Sequence, residues 1–369
     1  MRPKIVISGV NLVEGGILSI LQDCLAAFKK IEHDYELYVL THNKNLIPEY
    51  TGIENIHIIE FPEVKASWRK RLQFEFAYSQ KLSDEIKPDL WFSLHDITPK
   101  VNCKFQVVYC HNPSPFYRLP LKDFWLNYKF TLFNIFYGSL YAINIKKNKY
   151  VIVQQNWLRK EFSRRYGVNT IVAYPEVTNN PTINDKATGS DKGVFTFFYP
   201  SFPRVFKNFE VILKAVEILS KRRSDFKVII TIDGTENIYS KVLLKKYVTT
   251  PNVEFIGLQK REKVFELYEQ SDYLLFPSKL ETWGLPVSEA KSFNKPILIS
   301  DLEYAHESVG DYKKAKFFEP DNYLQLADLM SAAIDKKLLY DKNQTITPDA
   351  PFFNSWPGLL NFLFAKIPA

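Results

Sequence analysis

Two glutamates, Glu281 and Glu289, stand with seven residues between them in the segment Pro277-Ser-Lys-Leu-Glu281-Thr-Trp-Gly284-Leu285-Pro286-Val-Ser-Glu289-Ala290. A carboxylate accepts two hydrogen bonds at once, which suits a pair of vicinal hydroxyls. Two such carboxylates can hold two diols, such as a sugar and a ribose. Gly284 lets backbone come close to a ligand. Pro286 fits the first helical position, where its missing N–H costs nothing, and the free N–H groups of a helix start suit an anion. A first-turn acid favoured by the helix dipole, next to a surface glutamate, would leave the same two residues. The apolar run before them and the Gly-Leu-Pro turn make the segment more specific than the pair alone.

A second constellation is Pro200-Ser-Phe202-Pro-Arg204-Val-Phe-Lys207-Asn208, between a strand and a helix. Fixed cations stabilise the negative charge of a bound anion. Cations at a helix start oppose the dipole, so they ask for an anion nearby. Weaker candidates follow other strand ends, where sites gather in α/β sheets. These are Val13-Glu14-Gly15-Gly16, His95 in Leu94-His95-Asp96, and His111 in Tyr109-Cys110-His111-Asn112-Pro113. The glycine loop is not a GxGxxG fingerprint and does not argue for a dinucleotide. A lone histidine serves a structural role as readily as a catalytic one. Asp233-Gly234 and Gly257-Leu258 could line a base pocket through backbone contacts, or be turn chemistry only.

The elements that must position these residues alternate. Apolar runs at 4–8, 35–40, 56–61, 89–94, 105–109 and 150–153 read as strands, with helical patterns over 17–31, 72–86, 124–143 and 156–166. A stretch rich in Asn, Thr, Asp and Gly at 177–193 has no periodicity and reads as a linker. Strands then recur at 194–199, 226–232, 253–255, 273–277 and 296–300, with helices over 208–221, 261–270, 286–293 and 323–335. The tail, 354–366, is apolar and helical in pattern. Alternation implies an α/β fold with parallel sheets. The expected division is 1–177, a linker 178–193, 194–345, and a tail 346–369 that returns toward the first domain.

Composition sets the class. The chain has 369 residues, 46% apolar and 24% charged, as in a globular protein of two domains. Cys24, Cys103 and Cys110 keep no zinc-ligand or CxxC spacing and read as free thiols in a reducing compartment. No signal-peptide pattern opens the chain and no run reaches membrane-spanning length, so a cytoplasmic location is expected. No DxD, HExxH, P-loop or GxSxG appears, so no metal is expected. The net charge is +7, but residues 118–165 carry ten Lys or Arg against Asp123 and Glu161. With Trp68-Arg69-Lys70-Arg71, this basic and aromatic stretch suits an anionic membrane surface at the cytoplasmic face. A solvated helix face would read the same way.

The Glu281–Glu289 segment resembles the E-x7-E signature of glycosyltransferase family 4, retaining enzymes of the GT-B fold. The likeness includes Gly284-Leu285-Pro286 and extends through Ala305, Glu307 and Phe317-Phe318-Glu319-Pro320; it covers the first half more loosely. It implies two Rossmann-like domains facing across a cleft, with a nucleotide-diphosphate sugar (GDP- or UDP-linked) as donor and no cofactor. It implies that Glu281 contacts the donor sugar and Glu289 the ribose, with backbone at Gly284 and Leu285 meeting the sugar or diphosphate. Arg204 and Lys207 would hold the leaving diphosphate, although the family's arginine more often stands where Phe202 is. Gly15 and Gly16 resemble the family's glycine loop facing donor phosphates and acceptor. His111 resembles its first-domain histidine near the transferred sugar. The expected reaction is retaining transfer of a hexose-type sugar to a saccharide, lipid-linked, in surface glycan synthesis, with no nucleic-acid partner. Alternatives are a sugar-nucleotide epimerase of the same fold and a non-catalytic subunit of a glycan-assembly complex.

Overall fold

The structure, a computed structural model, describes residues 2–117, 128–175 and 194–368, the side chains of 128–131 excepted. The 178–193 linker and the charges Arg118, Lys122 and Asp123 lie outside the described residues. The chain divides into two compact units. Met1–Phe116, Asn134–Thr178 and Pro348–Ala369 form one; Tyr117–Phe133 and Asn179–Thr347 form the other.

The first unit's strands are β1 (Lys4–Ser8), β2 (Glu36–Thr41), β3 (Ile56–Glu60), β4 (Leu90–Ser93), β5 (Phe105–Cys110), β6 (Tyr150–Val153) and β7 (Thr170–Ala173). The second unit's are β8 (Phe195–Tyr199), β9 (Phe226–Ile230), β10 (Val253–Phe255), β11 (Tyr273–Phe276), β12 (Ile297–Ser300) and β13 (Ala315–Phe318). The last strand, β14 (Phe352–Phe353), pairs with β7 at the edge of the first sheet. The sheet orders are β14-β7-β6-β5-β4-β1-β2-β3 and β10-β9-β8-β11-β12-β13, parallel throughout. Strands buried on both faces must be apolar along their whole length, and VIS, FFY, LLF and ILIS are such runs. Each sheet reverses its winding once, between β1 and β4 in the first and between β8 and β11 in the second. Those are the places where open α/β sheets leave a crevice at their carboxyl ends.

The tail belongs to the first unit. Helix Trp356–Phe364 is capped by Ser355, whose hydroxyl accepts the Gly358 N–H. It buries Trp356, Leu359, Leu360 and Leu363 in the core made by Ile5, Ile7, Phe28, Val39, Phe92 and Tyr109.

Several elements differ from the expectation. The single helix over 72–86 is in fact helix Trp68–Gln73, a π-helical turn Phe74–Tyr78 and helix Ser79–Ile86. The Glu75 carbonyl accepts the Lys100 N–H at 2.9 Å, so it is drawn off the regular ladder. Helix Ile238–Tyr247 went unread because its buried positions are mostly tyrosine and serine. Its start was legible, since Asn237 and Ser240 cap each other's backbone N–H. Helix Glu303–Val309 is short and buries Glu307, which blurs its periodicity. Strands β7 and β13 also went unread.

Candidate functional site

The loops that leave β8 and β11 carry the second unit's charged residues. After β8 the chain makes a 3-10 turn, Val205–Lys207, and then Asn208 takes the left-handed conformation (φ 57°) before helix Phe209–Leu219 begins. Asparagine tolerates that conformation better than most residues. Its side chain amide donates to the carbonyls of Pro277 (3.2 Å) and Pro320 (2.7 Å). The Lys279 N–H donates to the Phe206 carbonyl at 2.7 Å, so the β8 and β11 loops are bonded to each other. Buried Tyr199 donates to the Lys207 carbonyl at 2.8 Å, and Tyr304 donates to the Ser278 carbonyl at 2.6 Å. Together these ties set the geometry of the two loops.

Within this frame the Lys207 ammonium meets the Glu281 carboxylate at 2.5 Å, with the two side chains 17% and 11% exposed. They are shielded enough to be strong and open enough to change partners. Arg204 is exposed as a residue, yet its guanidinium lies 5.9 Å from the Phe202 and Phe206 ring centres and burial draws its pKa below the usual arginine range. It also lies within electrostatic reach of Glu281. The structure therefore brings Arg204, Lys207 and Glu281 together, and Phe202 becomes a neighbour of the arginine.

Beyond Glu281 the chain turns at Gly284, whose φ of 83° favours glycine. A Cβ there would stand 3.1 Å from the Phe276 ring. Helix Leu285–Ser292 follows, with Pro286 in its first turn. Trp283 is anchored from its indole N–H to the Ser288 hydroxyl at 2.9 Å. Glu289 receives the Tyr268 hydroxyl at 3.1 Å and faces Arg261 at 3.4 Å. Burial raises its carboxyl above the usual range, and Arg261 opposes that rise. Tyr268 and Arg261 were not anticipated. They lie on the preceding helix, Arg261–Gln270, and no local spacing links them to Glu289.

Gly257 and Leu258 follow β10. Gly257 has φ 67°, and a Cβ there would meet the Asp233 carboxylate at 2.6 Å, so backbone and carboxylate touch only because the residue is glycine. Asp233 accepts the Thr235 hydroxyl at 2.6 Å and N–H at 2.9 Å, which hold its carboxyl below the usual range. This is a turn bonded within itself. Leu258 is exposed.

The remaining candidates belong to the first unit. Gly15 and Gly16 are exposed and open helix Gly15–Phe28, whose N-cap Glu14 makes no side-chain cap. His111 is mostly buried, with Nε2 3.6 Å from Asp96 and a buried Nδ1 that lacks a hydrogen-bond partner. Asp96 accepts the N–H groups of His111 (2.7 Å) and Asn112 (3.0 Å) and the hydroxyls of Tyr137 (3.1 Å) and Tyr141 (2.9 Å). His95 is 1% exposed and fully engaged. The Arg71 guanidinium, which can only donate, stands 2.7 Å from its Nδ1, and its Nε2 stands 2.8 Å from the Ser8 hydroxyl. The ring is thus neutral with its proton on Nε2. Burial and Arg71 both hold it well below the usual histidine range. Arg71 itself is 5% exposed and 2.8 Å from Glu75, so it leaves the basic surface expected for residues 68–71. Among the described residues no three His, Cys, Asp or Glu side chains converge so as to hold a metal ion, and no helix is long and apolar enough to cross a membrane.

Residues 180–348 match the family model of the glycosyl transferases group 1. An uncharacterized glycosyltransferase of Haemophilus influenzae is 26% identical over 163 residues, 42% of this chain and 46% of its own. An O-antigen chain mannosyltransferase of Salmonella typhimurium is 22% identical over 221 residues, 59% of this chain and 57% of its own. The chain thus spans about half the length of the curated relatives it matches. The crystal structure of a glycosyltransferase from Rickettsia africae superposes with a TM-score of 0.62 at 16% identity, covering 90% of this chain and 88% of that one. The two parallel α/β units are those of a GT-B fold, and glycosyltransferase is the class that the family match supports.

Proposed function

We propose that this protein is a retaining glycosyltransferase that takes a hexose-type sugar from a nucleotide-diphosphate donor and passes it to a saccharide acceptor. The observation that carries the proposal is the Lys207–Glu281 pair beside Arg204, at the winding reversal of the second sheet and next to the Gly284 turn. On this reading the donor diphosphate takes Lys207 and Arg204 as counter-charges, and the cations stabilise the negative charge that grows as the glycosidic bond breaks. Glu281, released from Lys207, accepts hydroxyls of the sugar, and Glu289, oriented by Tyr268 and Arg261, accepts those of the ribose. Backbone at Gly284 and Leu285 approaches the sugar or diphosphate, and backbone at Gly257 and Leu258 borders the base. Gly15, Gly16 and His111 act from the first unit. The leaving phosphate takes the acceptor's proton, so no side chain is assigned as general base.

The acceptor on this reading is lipid-linked and the product is a surface glycan, in line with the O-antigen role named for the Salmonella relative. The enzyme needs no metal and works as a peripheral protein at the cytoplasmic face of an anionic membrane. A thermal-shift screen with UDP, GDP, dTDP and CMP, with and without magnesium, tests the donor assignment. A ligand at a hundred times its Kd adds about 2.7 kcal/mol. A selective shift that is unchanged by magnesium is expected. No shift with any nucleotide would overturn the reading.

A further inference from the structure

Helix Glu303–Val309 lies outside the Glu281–Glu289 segment, yet it holds the loop that carries Glu281. The Tyr304 hydroxyl donates to the Ser278 carbonyl at 2.6 Å, and the Ser308 hydroxyl donates to the Trp283 carbonyl. Tyr304 and Ser308 stand one helical turn apart and share a face. A single element therefore fixes both ends of the 278–283 loop, with Glu281 between them. From helix Leu285–Ser292, the Lys291 ammonium donates to the Ser308 and Val309 carbonyls at 3.1 and 2.9 Å. A shift of helix Glu303–Val309 is thus a shift of the loop.

What fastens this helix on its other side is His306. Its Nε2 lies 2.7 Å from the Asp301 carboxylate, just past β12, and its Nδ1 lies 3.1 Å from Asn343 Oδ1. A carboxylate only accepts. The Asn343 amide is oriented by its own donors: its nitrogen donates to the His306 and Gly310 carbonyls at 3.1 and 2.6 Å, so its oxygen must face the ring. Both ring nitrogens therefore meet acceptors, and only the imidazolium has a donor on each. The place suits a cation, because His306 stands in the last turn of the helix, at the negative end of the dipole. The ring stacks on Phe317 with centres 4.2 Å apart. Asp301 is the charged group that touches it, whereas Lys316 and Asp341, next to Phe317 and close before Asn343, bond to each other at 2.6 Å. Glu303, three residues before His306, and Lys342, beside Asn343, are exposed to solvent, and Glu307 is buried. The His306 side chain is 36% exposed, so its proton exchanges with water.

We infer that His306 is a positioning residue for the Glu281 loop: doubly protonated, it locks helix Glu303–Val309 to Asp301 and Asn343, and deprotonation releases one of the two ties and loosens the loop that the helix holds. Its bearing on sugar transfer rests on the glycosyltransferase reading. The coupling of His306 to the loop stands on the geometry alone.

The test follows the full chain by NMR, with ¹³C on histidine and ¹⁵N on tryptophan, across the range in which histidines titrate. The His306 ring resonance is assigned by its loss in His306→Gln, and the Trp283 indole resonance by its loss in Trp283→Phe. In the parent, the Trp283 resonance is expected to shift with the same midpoint as the His306 ring. His306→Gln, which donates from one atom as the neutral ring does, should hold Trp283 at its high-pH position throughout. His306→Arg, which stays charged and donates from several nitrogens, should hold it at its low-pH position. A histidine that only fills space would not give these two variants opposite end states. A Trp283 resonance that ignores the His306 titration, or that still follows it in both variants, would overturn the inference. Titrating UDP, GDP, dTDP and CMP into the same samples separates the two proposals. Nucleotide binding without the coupling removes the positioning role alone, and coupling without binding of any nucleotide removes the transferase reading and leaves the coupling in place.

Discussion

The two winding reversals of this molecule use the same topology for opposite electrostatics. Between β8 and β11, Lys207 and Glu281 form one close pair that is still partly exposed. Between β1 and β4, Arg71, Glu75, His95 and Ser8 form a network closed from solvent, with Glu75 at 0% and His95 at 1% exposure. A partly open pair is cheap to break and can hand its charges to a ligand. A closed network is expensive to break and holds one charge in place. The fold supplies the crevice in both cases, and burial decides whether the charges in it are exchangeable or fixed.

Removing one partner from each region should break this comparison most sharply. Arg71→Met leaves Glu75 buried and unpaired, a loss of about 3–5 kcal/mol. Urea unfolding should show it, with much of the loss recovered in Arg71→Met/Glu75→Gln. A single mutant as stable as the parent would mean that the network is not closed. Lys207→Ala, on the proposed reading, lowers sugar transfer by about 10²–10³-fold, the cost of losing one preorganised charge stabiliser. Its effect on stability should be smaller than that of Arg71→Met, because Glu281 can turn to water. Transfer rates and urea midpoints on the same preparation check both halves.

On the proposed reading, Glu289→Ala weakens nucleotide binding by about 1.5–3 kcal/mol, the worth of hydrogen bonds to a charged group. Glu281→Ala should impair turnover while leaving free nucleotide bound. Calorimetric titration of both variants decides, and equal affinities would reverse the assignment. Gly257→Ala should cost about 1–3 kcal/mol, since the new Cβ meets Asp233 at 2.6 Å with φ at 67°.

The smallest expected effect is on pH dependence. Glu75 has a raised carboxyl, so between about 4.5 and 7 the folded chain holds a proton that the unfolded chain has lost. Its contribution to stability is present below that window and is lost as pH rises through it. His95 works the other way: it is neutral when folded, so stability falls as pH drops below the ordinary histidine value of 6.5. Glu75→Gln should therefore make stability rise more steeply between pH 5 and 7 than in the parent. An unchanged profile would mean that Glu75 does not titrate there.

How much of this was legible varies by region. The second unit wrote its site locally, because strand, Gly-Leu-Pro turn and helix start are consecutive, and Glu281 and Glu289 follow from one segment. What holds those residues is not local. Tyr268 and Arg261 reach Glu289 from the preceding helix, and Asn208 ties its own loop to Pro277 and Pro320 through two carbonyls. In the first unit the sequence pointed to His95 as a strand-end candidate and to Arg71 as surface charge. The structure pairs them with each other instead, 24 residues apart.

By itself the sequence determined the parallel α/β character and marked the Glu281–Glu289 segment, because apolar periodicity and turn chemistry act between neighbours in the chain. Only the tertiary structure decided which charges stay open and which are sealed. Burial and ion pairing depend on distant segments meeting, and residues as alike in sequence as Arg69 and Arg71 can fall on opposite sides of that divide, the first exposed and the second buried.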